Sequence, residues 1–121
     1  MNFSLLEELC SIRGISGDEQ SVKNFILNFV EKNSPRWKVQ PKVFCGEEFQ
    51  DGVVLVFGKP RTAVFAHIDT VGYTAGYGAN LIKVGGPSAG SGAKLIGKDN
   101  VSEIECTLHQ DEEGELSYIF E

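Results

Sequence analysis

The side chains at positions 67 and 69 carry the most chemistry in this sequence. In AHIDTVGY, residues 66–73, an imidazole and a carboxylate stand two positions apart at the end of an apolar run. A neutral imidazole is a good ligand for zinc and related divalent ions. A nearby carboxylate commonly accepts the ring's other N–H and holds the ring in place. On a strand, residues i and i+2 share a face, so His67 and Asp69 are expected to look the same way while Ile68 looks toward the core. The carboxyl ends of strands in α/β sheets are where ligands bind. The spacing alone leaves two readings open: the edge of a metal site, or a strand end that carries both residues by coincidence.

The other reactive side chains read more plainly. His109 lies out of phase with the apolar residues of an alternating strand, so it reads as a surface residue. Asp111, Glu112, Glu113 and Glu115 read as a solvated turn, because EF-hand spacing is absent. Cys10, Cys45 and Cys106 are widely spaced and odd in number, and they fit no CxxC or zinc-knuckle pattern. Reduced thiols in a cytoplasmic protein are expected. Cys10 falls near an apolar helix face and reads as a core thiol. Ser16 reads as a helix cap. The glycines at 85, 86, 90 and 92 make neither GxGxxG nor GxxxxGK[ST], so no nucleotide site is expected. Trp37 and the phenylalanines read as core.

The elements that must position His67 and Asp69 follow from local patterns. Ser4 with Glu7 forms a capping-box pattern that opens a helix over 5–12, with Leu5, Leu6, Leu9 and Ile12 on one face. Arg13-Gly14 breaks it. A second such pattern, Ser16 with Glu19, opens a longer helix. Its Val22, Phe25, Ile26, Phe29 and Val30 recur at helical spacing, and Asn33, Ser34 and Pro35 end it. Strands are then expected over 37–44, with Pro41 at a bend or edge, over 53–57, uniformly apolar and covered on both faces, and over 62–66. Asp51-Gly52 marks a turn. The order implies an α/β layer architecture.

After residue 75 the composition shifts, with seven glycines by residue 97 and short apolar pieces at 81–84 and 94–96 between them. Ile104, Cys106 and Leu108 alternate, and Leu116, Tyr118 and Phe120 mirror them across the acidic turn, which is a hairpin pattern. Two segments are therefore expected: 1–75, α/β, and 76–121, β-rich.

Composition narrows the function classes. The 121 residues are one ordinary domain by length, and 41% are hydrophobic, enough for a modest core. A net charge of −6 without a Lys/Arg run argues against a nucleic-acid partner. No apolar run approaches the roughly 20 residues that span a bilayer, so no membrane partner is expected. The N-terminus lacks a basic region and a small-residue cleavage site, so it does not read as a secretory signal.

The ordered set of motifs resembles the co-catalytic zinc aminopeptidases of the glutamyl and deblocking family, which assemble as tetrahedral particles. Their opening, L-x-x-L-x-x-x-x-G-x-S-G-x-E, is matched by Leu6, Leu9, Gly14, Ser16, Gly17 and Glu19. Their A-H-x-D-x-x-G-[FY] is matched by Ala66, His67, Asp69, Gly72 and Tyr73. Their strand followed by a Gly-Gly pair is matched by 81–84 and Gly85-Gly86. The resemblance implies a zinc-exopeptidase α/β domain that gives way to the start of a barrel-like or PDZ-like inserted domain used in assembly. It implies that His67 is a zinc ligand and that Asp69 is the catalytic aspartate that supports the site. It also implies two divalent metal ions, a peptide substrate and a homo-oligomer.

Related amidohydrolases and carboxypeptidases carry H-x-D-x-V-P, and Gly72 stands where their proline would be. No Trp-containing loop follows, which favours the aminopeptidases. The remaining ligands and the general-base glutamate of the family have no counterpart over 74–121. The chain is therefore expected to be an N-terminal part of such an enzyme, inert and metal-free alone, with a polypeptide that continues past Glu121. The alternative is a small non-enzymatic module that binds peptides or assembles through its strand edges.

Overall fold

The computed structural model describes residues 3–99 and 101–120. Helices and strands are mixed, consistent with an α/β class. The chain divides between Thr70 and Val71 into two compact units, each described by itself.

The first unit is built on two helices. Helix α1 is Phe3–Ser11 and helix α2 is Gln20–Asn33. The i, i+3, i+4 pattern of α2 does what its spacing requires, since Val22 and Val30 are buried. Gly14 is also buried, and a Cβ there would sit 2.7 Å from Cγ2 of Val22. The close approach of the 14–16 segment to α2 therefore depends on glycine. At its other end α2 runs into one 3-10 turn, Ser34–Arg36, with Pro35 supplying no N–H. The Asn33 amide donates to the Phe29 carbonyl at 2.8 Å, and Arg36 donates to Asn33 at 2.7 Å. Trp37 then stacks at a tilt between Phe29 (6.5 Å) and Phe57 (6.0 Å). These aromatic contacts join the end of α2 to the short antiparallel pair β1 (Lys42–Phe44) and β2 (Val54–Val56), with Val43 opposite Leu55.

Several expected features take another form. Helix α1 already includes Phe3, so Ser4 lies in its first turn and is not its cap. Helix α2 starts at Gln20 with Glu19 at the N-cap and no side-chain cap, because the Ser16 hydroxyl is engaged elsewhere. The strand expected over 37–44 shortens to Lys42–Phe44, and Pro41, which lacks an N–H, immediately precedes it. Among the described residues strand β2 pairs only with β1, and Val54 and Phe57 are exposed, so it is not covered on both faces.

No strand forms over 62–66. Its backbone makes no hydrogen bond to another described residue, and Val64 and Phe65 are 92% and 91% exposed. An apolar run becomes a strand only where a neighbour completes its ladder, and none of the described strands lies beside it. His67 consequently sits in an extended loop and not at a strand end. Cys10 is exposed, against its reading as a core thiol; Cys45 is exposed and Cys106 is buried, and all three are free. Phe3, Phe44, Phe57, Phe65 and Phe120 are exposed as well, so the phenylalanines are not uniformly core. Burial needs packed neighbours, which an apolar side chain does not bring by itself.

The described residues of the second unit form strands and turns with one 3-10 helix, Tyr77–Ala79. Strands β3 (Gly72–Ala75) and β4 (Leu81–Val84) pair antiparallel, Tyr73 opposite Lys83. Gly85 and Gly86 follow with φ of 72° and 74°, a left-handed pair that side-chain-bearing residues rarely adopt. Strands β5 (Lys94–Lys98), β6 (Glu103–Gln110) and β7 (Leu116–Ile119) form a three-stranded meander. The alternation of β6 buries Cys106 and Leu108, and Leu108 lies opposite Tyr118. The acidic turn is closed by Asp111, whose carboxylate accepts the N–H groups of Glu113 and Glu115. His109 is exposed on β6, as its phase requires. No helix among the described residues is long and apolar enough to cross a membrane.

Candidate functional site around His67 and Asp69

The site is assembled by two stretches more than fifty residues apart in sequence. Ile15 and Thr70 form a parallel bridge. The Thr70 N–H donates to the Gly14 carbonyl at 2.6 Å, and its hydroxyl donates to the same oxygen at 3.0 Å. Those bonds hold Asp69 against the turn that begins at Gly14. The turn itself is fixed by Gly17, at φ +92°, and by Asp18, whose N–H donates to the Ile15 carbonyl at 2.8 Å. The Glu19 carboxylate accepts the Gly17 N–H at 2.9 Å. The glycines and the glutamate of G-x-S-G-x-E thus have local tasks. Gly14 permits close approach to Val22, Gly17 permits the left-handed turn, and Glu19 braces it.

Ser16 has the remaining task. Its hydroxyl donates to Oδ2 of Asp69 at 2.5 Å. The other carboxylate oxygen, Oδ1, is 3.2 Å from Nδ1 of His67, and the Asp69 carbonyl oxygen is 3.1 Å from the same nitrogen. Both neighbours of Nδ1 are acceptors, since an ionised carboxylate and a carbonyl have no proton to give. The neutral ring can satisfy either only as the Nδ1–H tautomer. Nε2 then carries the free lone pair, and it has no partner among the described residues. The His67 side chain is 87% exposed, so that nitrogen is available to an incoming ligand.

Electrostatics follow the same geometry. The Ser16 hydrogen bond holds the Asp69 carboxyl below its ordinary range; desolvation opposes this, and the His67 charge adds to it. Ile68, between the two site residues, lines a cleft of about 390 Å³ with Gly17, Glu19, Phe49, Gln50, Asp51 and Gly52. Lys23 ties α2 to this cleft by donating to the Gln50 carbonyl at 2.6 Å.

The donor set fits one corner of a metal site and does not complete one. His67 offers one outward nitrogen with a carboxylate behind it, the usual arrangement of a metal-bound histidine. A catalytic zinc takes three protein ligands. Among the described residues no three His, Cys, Asp or Glu side chains come together to hold an ion. The residue that the cap reading misplaced is Ser16. The S-x-x-E pattern hid its role, although the same serine falls within the motif that carries the resemblance.

No family model matches the chain. A search of curated proteins finds it 32% identical over 79 residues to the protein named "Putative aminopeptidase FrvX" from Escherichia coli (strain K12). The match covers 60% of this chain and 19% of that protein, so the chain spans about a fifth of the length of the curated relative it matches. The likeness supports a peptidase-related origin.

Proposed function

We propose that this chain is the N-terminal part of a metal-dependent aminopeptidase that removes N-terminal residues from peptides. The observation that carries the reading is the Ser16–Asp69–His67 arrangement, in which residues of two separate motifs meet to present one outward imidazole nitrogen. Partial identity to a protein named as an aminopeptidase points the same way. In this reading His67 is one ligand of a two-metal centre, Asp69 is the catalytic aspartate that holds its ring, and polypeptide beyond this chain supplies the other ligands. Two divalent ions, with zinc suiting an imidazole ligand, would polarise the peptide carbonyl and activate a water. The chain alone, with a single ligand, is inactive. The enzyme is cytoplasmic and oligomeric, with neither nucleic acid nor membrane as a partner.

The test is release of the N-terminal residue from short peptides by the natural polypeptide that carries this segment. Hydrolysis that chelation abolishes, that divalent metal restores, and that His67→Ala lowers by about 100-fold or more is expected. Hydrolysis indifferent to both chelation and His67→Ala would sink the reading.

A further inference from the structure

We infer that Ser16 is a positioning residue for His67: its hydroxyl fixes the Asp69 carboxylate so that the imidazole is held with its proton on Nδ1 and its Nε2 lone pair outward. Two contacts define the relay, and two hydrogen bonds from Thr70 hold it in place. Ser16 Oγ occupies Oδ2 at 2.5 Å, and Oδ1 faces Nδ1 of His67 at 3.2 Å. The Thr70–Gly14 bonds keep the two stretches in register. The Asp69 side chain is 36% exposed, so without the serine its carboxylate keeps only its own backbone N–H and the His67 ring as partners and is freer to turn to water. With one oxygen taken by Ser16, the other is left aimed at the ring. The serine comes from 53 positions upstream, and its hydroxyl bonds to the carboxylate and not to the ring.

The inference deepens the metallopeptidase reading and rests on it only for what Nε2 meets; the tautomer is a property of this chain. The turn is built around the serine as well. Gly17 and Glu19 shape the backbone immediately after Ser16, and Gly14 admits the segment against α2. A helix-capping serine would need none of this and would accept an N–H from the first turn of α2, which Ser16 does not do.

The test is long-range proton–nitrogen NMR of the 15N-labelled 121-residue chain at about pH 8.5, where an ordinary imidazole is neutral. His109→Gln, on the exposed face of β6, removes the only other histidine signal. The wild-type spectrum should show His67 mainly as the Nδ1–H form. Ser16→Ala should shift the population toward Nε2–H by about threefold, and Ser16→Thr, which keeps the donor, should restore it. Amide dispersion reports whether each variant is folded. If Ser16→Ala fails to fold, Ser16→Cys, a weaker donor of similar size, should give a smaller shift in the same direction. A wild-type ring in the Nε2–H form, or a folded variant lacking the hydroxyl donor with an unchanged ratio, overturns the inference. Either result leaves the peptidase reading to be judged on hydrolysis alone.

Discussion

Gly14→Ala is expected to destabilise the first unit by about 1–3 kcal/mol, the range for inserting a methyl group into a packed position. The added Cβ would lie 2.7 Å from Cγ2 of Val22 and 3.5 Å from Cα of Glu19. Non-bonded carbons rest at about 3.5–4.0 Å, so the Val22 contact must open by close to an ångström. Val22 has little room to retreat, being 3% exposed. The 14–16 segment therefore moves away from α2 and strains the two Thr70 bonds to the Gly14 carbonyl. Gly17→Ala provides the contrast. No atom lies within 4 Å of its Cβ, and only its φ of +92° is unfavourable, so about 1 kcal/mol is expected. Urea denaturation measures both losses. Val22→Ala removes the clashing methyl, so the Gly14→Ala/Val22→Ala double variant should lose less than the sum of the single losses. A Gly14→Ala protein within about 0.5 kcal/mol of wild type, the range of an ordinary surface change, would refute the close-approach explanation.

Three further outcomes are expected. Asp69 has a depressed folded pKa, so its contribution to stability is fully present above its unfolded value of about 3.9 and is lost as pH falls through the folded value. Ser16→Ala should move the Asp69 carboxyl titration upward, as followed by carbon NMR; an unmoved titration would contradict the assigned cause. If the proposed homo-oligomer forms through the exposed unpaired run 62–66, Val64→Lys should reduce concentration-dependent self-association in sedimentation equilibrium. Identical association by both proteins would exclude that run as the contact. Leu108→Ala, at a side chain 1% exposed, should cost the second unit about 2–5 kcal/mol in chemical denaturation. A loss under about 0.5 kcal/mol would show that Leu108 is not a packed core position.

What was legible in the sequence depended on how local its cause was. Helix α2 shows in the spacing of Val22, Phe25, Ile26, Phe29 and Val30, because a helix's buried face is written into its own residues. The β6–β7 hairpin shows for the same reason, through alternation on both sides of the Asp111 turn. The run 62–66 misleads because strand formation is decided by a neighbour and not by the run. Cys10 and Phe65 mislead because an apolar side chain is buried only where something packs on it. At the candidate site, His67 and Asp69 stand out because they are adjacent and chemically distinctive. Ser16 misleads because a cap three residues away is a local pattern, whereas its bond to Asp69 spans 53 positions.

The most direct measurement is the metal content of the natural polypeptide that carries this segment, as purified and as the His67→Ala variant, after dialysis against trace metal-free buffer. The peptidase reading requires close to two divalent ions per polypeptide in the wild type and clearly fewer in His67→Ala. Wild-type protein without divalent metal, or a His67→Ala variant with unchanged metal content, would contradict the assignment of His67 as a ligand.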